Sequence, residues 1–416
     1  MKRIFLVMLI ALLAVSFVFA NGSSEAKSES KVIKLGAVLP VTGSSAESGI
    51  ACRQGLELAV KEINDAGGVN VKGESYQLQL IVEDDAGLPA QAVTAATKLI
   101  ELDGVNVVYC SCLSSCALAI MDVCDQYPDV LFTTIECTSD NFKEIIAKNP
   151  DRYANFWKPY YNSSDYGATF GEMVADLSKA GKINFANKTV AYIVEDTDAG
   201  RTCVTACEAS LDKFCGGSTT VAVEVVPQGT TDFYSQINKF KSLNPDIVMT
   251  FFVPLNSGVA YIKQVNENNV GWLDIAFVYP LKAGFVEQTG AASEGLLWAP
   301  MQVDYWNNPE CAAFAEKVYA MFPNAGLNAM HLSAYLGVDM VKVAIEKAGT
   351  LKASEGLAEA FGEQEYKSIN GTYQFAPDHT AIAGPEYLVV SAAQVQDGKY
   401  YVVWPEQFAN SEYRAK

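Results

Sequence analysis

The chain has 416 residues, half of them apolar, with 48 Asp+Glu against 30 Lys+Arg and a formal net charge of -18. That much apolar material excludes intrinsic disorder and, at roughly 100 to 200 residues per domain, predicts two or three domains. Strong acidity without a Lys/Arg block argues against nucleic acid or an anionic membrane surface as partner, because such binding depends on phosphate neutralisation.

The N-terminal segment reads as an export signal. Lys2 and Arg3 precede a run, residues 4–19, that is apolar except for Ser16, and Val18-Phe19-Ala20 fits cleavage after Ala20. Residues 1–20 are thus a signal peptide and 21–31 a polar linker, and the expected location is periplasmic or otherwise extracytoplasmic. No cysteine stands near the cleavage point, so no lipid anchor is expected there. No later stretch reaches about 18 uninterrupted apolar residues.

From residue 32 onward, strand and amphipathic helix patterns alternate, which predicts parallel sheets flanked by helices. The first strand is 32–39. The helix after it carries Cys52, Gly55, Leu56, Ala59, Val60 and Ile63 at spacings of three and four, and Ala66-Gly67-Gly68 ends it. Strands at 76–82, 105–109 and 130–134 then alternate with helices at 90–102 and 114–127. An irregular polar stretch, 139–153, precedes a second series. It opens with a helix at 166–180, capped by Ser164 or Asp165, and continues with strands at 189–194, 220–226, 247–252 and 275–279. Helices at 202–214, 233–243 and 257–268 separate these strands. Helices return at 309–322, 328–348 and 354–362, and the chain ends in a hairpin, 387–395 and 400–404, turned by Asp397-Gly398. The fold class that follows is α/β, with two doubly wound parallel-sheet lobes.

Leu39-Pro40-Val41-Thr42-Gly43, Gly49, residues 55–64 and Gly67-Gly68 resemble the type I periplasmic binding proteins of the branched-chain amino acid class. These are the solute receptors of ABC importers. Glu83-Asp84-Asp85, Gln91-Ala92-Val93, Lys98-Leu99-Ile100, Ser114-Ser115, Asp232-Phe233, Asn244-Pro245-Asp246 and Glu294-Gly295 extend the resemblance over the mature chain. It implies two lobes, 32–155 plus 300–370 and 156–299 plus 371–416, joined by three hinge crossings near 155–158, 298–301 and 371–373. It also implies a monomer without cofactor, whose partners are a small-molecule ligand and an ABC permease. The ligand lies between the lobes at the carboxyl ends of the strands, where doubly wound sheets generally bind.

Ser114 and Ser115 follow a strand and open a helix, where hydroxyls and free backbone NH groups favour an anion. They either cap that helix or, as the resemblance implies, hold the ligand's α-carboxylate. By the same resemblance Thr138, next to Cys137, meets the ligand. Glu136 departs from the family pattern and is either a solvated loop carboxylate or a partner for a ligand ammonium. Ser48 stands where relatives often place an aromatic, and Ala199-Gly200 where they have Tyr-Gly. Leu281-Lys282 occupies the loop where a glutamate binds the α-ammonium in branched-chain receptors. Either Glu136, Asp196 or Asp198 substitutes for that glutamate, or the ligand is not an α-amino acid and Lys282 is a second anion contact. Phe252 sits where an aromatic wall is expected. Trp157, Tyr160 and Tyr161 either stack on a ligand or pack in the core.

Ten cysteines in an exported chain raise the question of disulfides. Cys52, Cys116, Cys124, Cys203 and Cys207 fall on apolar helix stripes and read as small hydrophobes. Cys110, Cys112 and Cys137 end neighbouring strands, so one bridge there is geometrically possible. The disulfide partner that relatives place in the loop of Gly87 is absent, and no Cys-x-x-Cys spacing supports a metal site. The two histidines, His331 in a helix and His379 in a loop, are remote from every ligand position, which argues against a Cys or Ser nucleophile. The reading is a solute-binding protein for a small amino acid or related small carboxylate. The alternatives are a receptor for a non-amino-acid carboxylate or amide, a sensing module of a signalling system and, remotely, a hydrolase using Glu195 with Glu136.

Overall fold

The computed structural model describes residues 31–301, 303–305 and 307–415. The predicted signal peptide and most of the polar linker lie outside the described residues. Among the described residues no helix is long and apolar enough to cross a membrane.

The first sheet is built from β1 (Val32–Leu39), β2 (Val69–Val71), β3 (Glu74–Asp84), β4 (Val107–Cys110), β5 (Leu131–Thr133) and β6 (Phe156–Trp157), in the order β2-β3-β1-β4-β5-β6. β1 lies between β3 and β4, with Leu35 level with both Leu80 and Val107. Both faces of β1 are covered, which is why its sequence is nearly all apolar and every residue from Leu35 to Leu39 is buried. Its helices are α1 (Ala46–Asp65), α2 (Pro89–Glu101), α3 (Ser114–Met121) and α4 (Asn141–Lys148).

The chain then crosses to the second layer through α5 (Ser163–Lys179). There β7 (Thr189–Glu195), β8 (Thr219–Val226), β9 (Ile247–Phe252), β10 (Leu273–Val278) and β11 (Leu297–Met301) alternate with α6 (Asp198–Cys215), α7 (Tyr234–Leu243), α8 (Leu255–Asn268) and α9 (Phe285–Thr289). Helices α10 (Pro309–Met321), α11 (Ala329–Ala348) and α12 (Leu357–Gly362) return to the first lobe. There α11 packs so closely on α1 that a Cβ at Gly55 would stand 2.2 Å from the carbonyl oxygen of His331. A short ribbon, β12 (Tyr366–Ser368) with β13 (Gly371–Tyr373), precedes the final hairpin of β14 (Ser391–Gln396) and β15 (Lys399–Trp404). That hairpin completes the second sheet, ordered β15-β14-β11-β10-β9-β7-β8.

Several expectations need correction. The sheets are mixed, because β2 is antiparallel to β3 and the final hairpin is antiparallel to β11. The stretch 139–153 contains α4, which Phe142 and Ile146, one turn apart and buried, hold in place. β2 was invisible as a three-residue strand turned by Lys72-Gly73, both at positive φ. α5 begins one turn earlier than its apolar stripe, capped by Asn162. Asp165 answers from the third helical position by accepting from the Asn162 backbone at 2.6 Å. All ten cysteines are free thiols, so no bridge joins Cys110, Cys112 and Cys137. The Asp397-Gly398 turn has the expected positive φ at both residues, 53° and 72°.

At the crossings, Lys158 pairs with Thr380, tying the segment after β6 to the one before β14. The Lys158 ammonium is fully buried and donates to the carbonyls of Tyr160 (2.8 Å) and Tyr161 (2.7 Å), and burial lowers its pKa to about 8.

Candidate ligand-binding site

The carboxyl ends of β4 and β5 face those of β7, β9 and β10 across a small enclosed cavity. The first lobe contributes Ser114, Ser115, Glu136 and Thr138 to its wall; the second contributes Thr197, Ala199, Phe251, Val253, Val278 and Leu281. Tyr160 and Tyr166 close the crossing side, and Met330 reaches in from α11. The space open to the centre of a water-sized sphere is about 30 Å³. That exceeds the roughly 10 to 15 Å³ one water needs. A larger groove of about 900 Å³ beside Arg152, Trp157 and His379 is open to solvent and lined by a mixture of apolar, polar and charged residues. It has neither the enclosure nor the convergent polar groups expected of a solute site.

Three hydrogen bonds draw the walls together around the cavity. Ser44 Oγ donates to Gln228 Oε1 at 3.2 Å, Lys282 Nζ to Ser48 Oγ at 2.5 Å, and Asn141 Nδ2 to Asp198 Oδ1 at 3.1 Å. The cleft is closed in this structure.

One wall is built for an anion. α3 starts after Leu113, an N-cap residue with no capping side chain, so Ser114 and Ser115 are its first two helical residues and neither is its cap. The Ser114 hydroxyl oxygen accepts the backbone NH groups of Thr138 and Ser139, both at 3.1 Å. With its oxygen so engaged, its O–H remains as a donor. The NH groups of the first α3 turn have no intrahelical acceptor. α6 also begins at the cavity, through Thr197 and Ala199, so two helix N-termini converge there.

The opposite charge is present too. Glu136 is buried, its Oε1 accepts from Ser333 Oγ at 2.6 Å, and it shares the cavity wall with Tyr160. Desolvation raises its pKa to about 7, although Ser333, Tyr160 and the Lys282 charge all pull the other way. Glu195, at the end of β7, accepts from Val253 N (3.0 Å) and Gly229 N (3.3 Å), and burial raises it to about 7 as well. The backbone is strained around the same cavity. Ser111, Glu136 and Val278 adopt φ of 55°, 54° and 75°, and for the β-branched Val278 this is a tight γ-turn conformation.

The structure thus brings together Ser114, Ser115, Glu136, Thr138, Ala199 and Leu281, and places the other named residues around them. Ser48 and Lys282 bond to each other beside the cavity. Cys137 turns inward, with Sγ 3.7 Å from the Ser111 carbonyl. Asp198 bonds Asn141, while Asp196 pairs with Arg201 at 2.7 Å on the surface. Phe252 stacks on Tyr279 and packs against Phe233 and Tyr261, so the aromatic face of the cavity belongs to Phe251. Trp157 stacks on His379, ring centroids 4.0 Å apart, away from the cavity. His331 lies between Asn328 and Gln54, and burial lowers its pKa to about 4. Sequence reasoning missed Thr197, Phe251, Val278, Met330 and Ser333. Only Phe251 had a signal, the two-residue alternation of side chains along a strand.

The cavity lies at facing strand ends, with the N-termini of α3 and α6 at its wall. A family model described as periplasmic binding protein matches residues 32–399. The chain belongs to the periplasmic binding protein family. Leu/Ile/Val-binding protein homolog 3 of Brucella melitensis is 26% identical over 328 residues, 79% of this chain and 82% of that protein. The leucine-, isoleucine-, valine-, threonine- and alanine-binding protein of Pseudomonas aeruginosa is 27% identical over 346 residues, 82% of this chain and 85% of that protein. Among solved structures, the isoleucine complex of a branched-chain amino acid transporter's substrate-binding protein from Streptococcus pneumoniae shares the fold. Its TM-score is 0.73 at 20% identity, covering 90% of this chain and 100% of that one. A benzoate-bound ABC transporter solute-binding protein from R. palustris has a TM-score of 0.75 at 19% identity, covering 92% and 98%. The periplasmic binding protein described here therefore shares sequence family with Leu/Ile/Val-binding proteins and fold with substrate-binding proteins of ABC transporters.

Proposed function

We propose that this periplasmic binding protein is the exported, monomeric solute receptor of an ABC importer, and that it closes on one small amino acid or related small carboxylate. Its lobes are 32–155 plus 300–370 and 156–299 plus 371–416, with the first crossing between them near residues 155–158. The observation that carries the ligand assignment is the cavity wall itself. The open first turn of α3, with the Ser114 O–H beside it, receives a carboxylate, and the buried Glu136 across from Leu281 receives an ammonium. The amino acid names of the Brucella and Pseudomonas relatives support this reading.

A second reading rests on Lys282. This buried ammonium favours an anionic ligand lacking an amine, as in the benzoate-bound R. palustris protein. A calorimetric panel of amino acids and amine-free carboxylates, with a mass spectrum of whatever co-purifies, separates the two. Binding confined to acids without an amine removes the amino acid reading. Binding of neither class, or turnover of the bound molecule, removes the proposal.

A further inference from the structure

Glu195 is fully buried, yet it is not among the residues that line the ligand cavity. It is the last residue of β7, which lies between β8 and β9 in the second sheet. In register, Glu195 is level with Val226 at the end of β8, and its neighbour Val194 is level with Phe251 near the end of β9. A carboxylate at that point stands between the two segments that leave the flanking strands, and it holds one with each oxygen. Oε1 accepts from the backbone NH of Gly229, in the turn after β8, at 3.3 Å, and Oε2 from that of Val253, the first residue past β9, at 3.0 Å.

The two segments do different things. Val253 is part of the cavity wall. The turn after β8 carries Gln228, whose Oε1 receives the hydroxyl of Ser44 from the first lobe at 3.2 Å. That turn meets the first lobe closely, since a Cβ at Gly229, where φ is 84°, would stand 3.3 Å from the Ser44 Cβ. The first turn of α6 rests on Glu195 as well. The Glu195 carbonyl accepts from Thr197 N at 2.8 Å, and a Cβ at Gly200 would lie 2.5 Å from the same oxygen. An ionised carboxylate satisfies both NH donors at once, whereas a glutamine brings one oxygen and turns an NH2 toward the second donor.

We propose that Glu195 is a positioning residue for ligand binding. Its carboxylate joins the Val253 wall to the Gln228 contact with the first lobe, so that seating a ligand against Val253 and closing the cleft at Ser44 occur together. This rests on the receptor reading above.

The test compares the mature chain with Glu195→Gln at pH 8, above the value of about 7 to which burial raises this carboxyl. Amide exchange needs no ligand, and it should quicken roughly tenfold or more at Gly229, at Val253 or at both. Stability in denaturant should not fall, because the variant has no buried charge to desolvate. Calorimetry with L-leucine, L-valine, L-alanine and benzoate should show roughly tenfold weaker binding of whichever the parent binds. Ser44→Ala, in the exposed rim of the first lobe, removes the contact with Gln228 without touching Glu195. Combined with Glu195→Gln, its loss of affinity should be less than additive. Unchanged exchange at both amides, unchanged affinity, full additivity, or equal losses of stability and affinity each overturn this proposal alone. Binding of none of the four compounds by the parent removes the receptor reading, and this proposal with it.

Discussion

Glu136→Gln should stabilise the ligand-free protein at pH 8 and weaken amino acid binding at the same pH. Desolvation moves the Glu136 pKa from the ordinary 4.5 to about 7. At roughly 1.4 kcal/mol per unit, that is about 3 kcal/mol. Between pH 4.5 and 7 the native protein keeps this proton while the unfolded chain has lost it, so stability falls as pH rises through that window. Glutamine still accepts from Ser333 but has no charge to desolvate. The variant should therefore match the parent near pH 4.5 and exceed it by about 3 kcal/mol at pH 8, leaving the similar slope from Glu195 in place. Bound to an ammonium, the same carboxylate is favoured. Its loss should cost about 1.5 to 3 kcal/mol of binding, tenfold or more in affinity at pH 8. Denaturant melts at pH 4.5 and 8 measure the first effect and calorimetry the second. A parent-minus-variant stability difference that does not change with pH refutes the desolvation argument, and unchanged affinity refutes the ammonium contact.

Ser115→Ala removes a hydroxyl from the open first turn of α3 and should lower carboxylate affinity about tenfold by calorimetry. The melting temperature without ligand should not change, since this serine caps nothing. Lys282→Met removes the positive charge that holds down both Glu136 and Glu195, and with it the bond to Ser48. The pH at which amino acid affinity reaches half its maximum should therefore rise above the parent's; an unchanged profile would show that the lysine charge does not reach the site.

How much of this was legible depended on the range of the forces involved. β1 and β9 match their predicted bounds residue for residue, because a strand buried on both faces must be an apolar run and its ends are marked locally, by Pro40 and by Asp246. The stripe of α1 was equally readable, since Cys52, Leu56, Ala59 and Ile63 are all buried. α4 was not, because two anchoring residues in eight give too short a period to recognise. The orientation of Glu136 was beyond sequence reasoning for a different reason. Ser333, which fixes it, is 197 residues away, and the Lys282–Ser48 bond spans 234. Phe251 and Phe252 are adjacent and both buried, so composition alone could not say which one faces the cavity.

The altered charges also bear on how the proposed receptor closes. In the branched-chain receptors that the sequence resembles, the ammonium partner is a glutamate on the loop that here reads Leu281-Lys282. Here that loop carries a lysine, and the cavity carboxylate, Glu136, stands on the first lobe beside Ser114 and Ser115. The charges have in effect changed sides. On the proposed reading, both ends of an amino acid are then held by the first lobe alone, and the second lobe adds mainly Phe251, Val253, Val278 and Leu281. Such a ligand would dock on the open form with its polar contacts largely made. Closure would be driven by burying it against these apolar side chains and by the Ser44–Gln228, Ser48–Lys282 and Asn141–Asp198 bonds. A ligand stabilises closure only by its differential contacts with the closed form. Selectivity among side chains should therefore lie in the second lobe, and selectivity for the amino acid head group in the first.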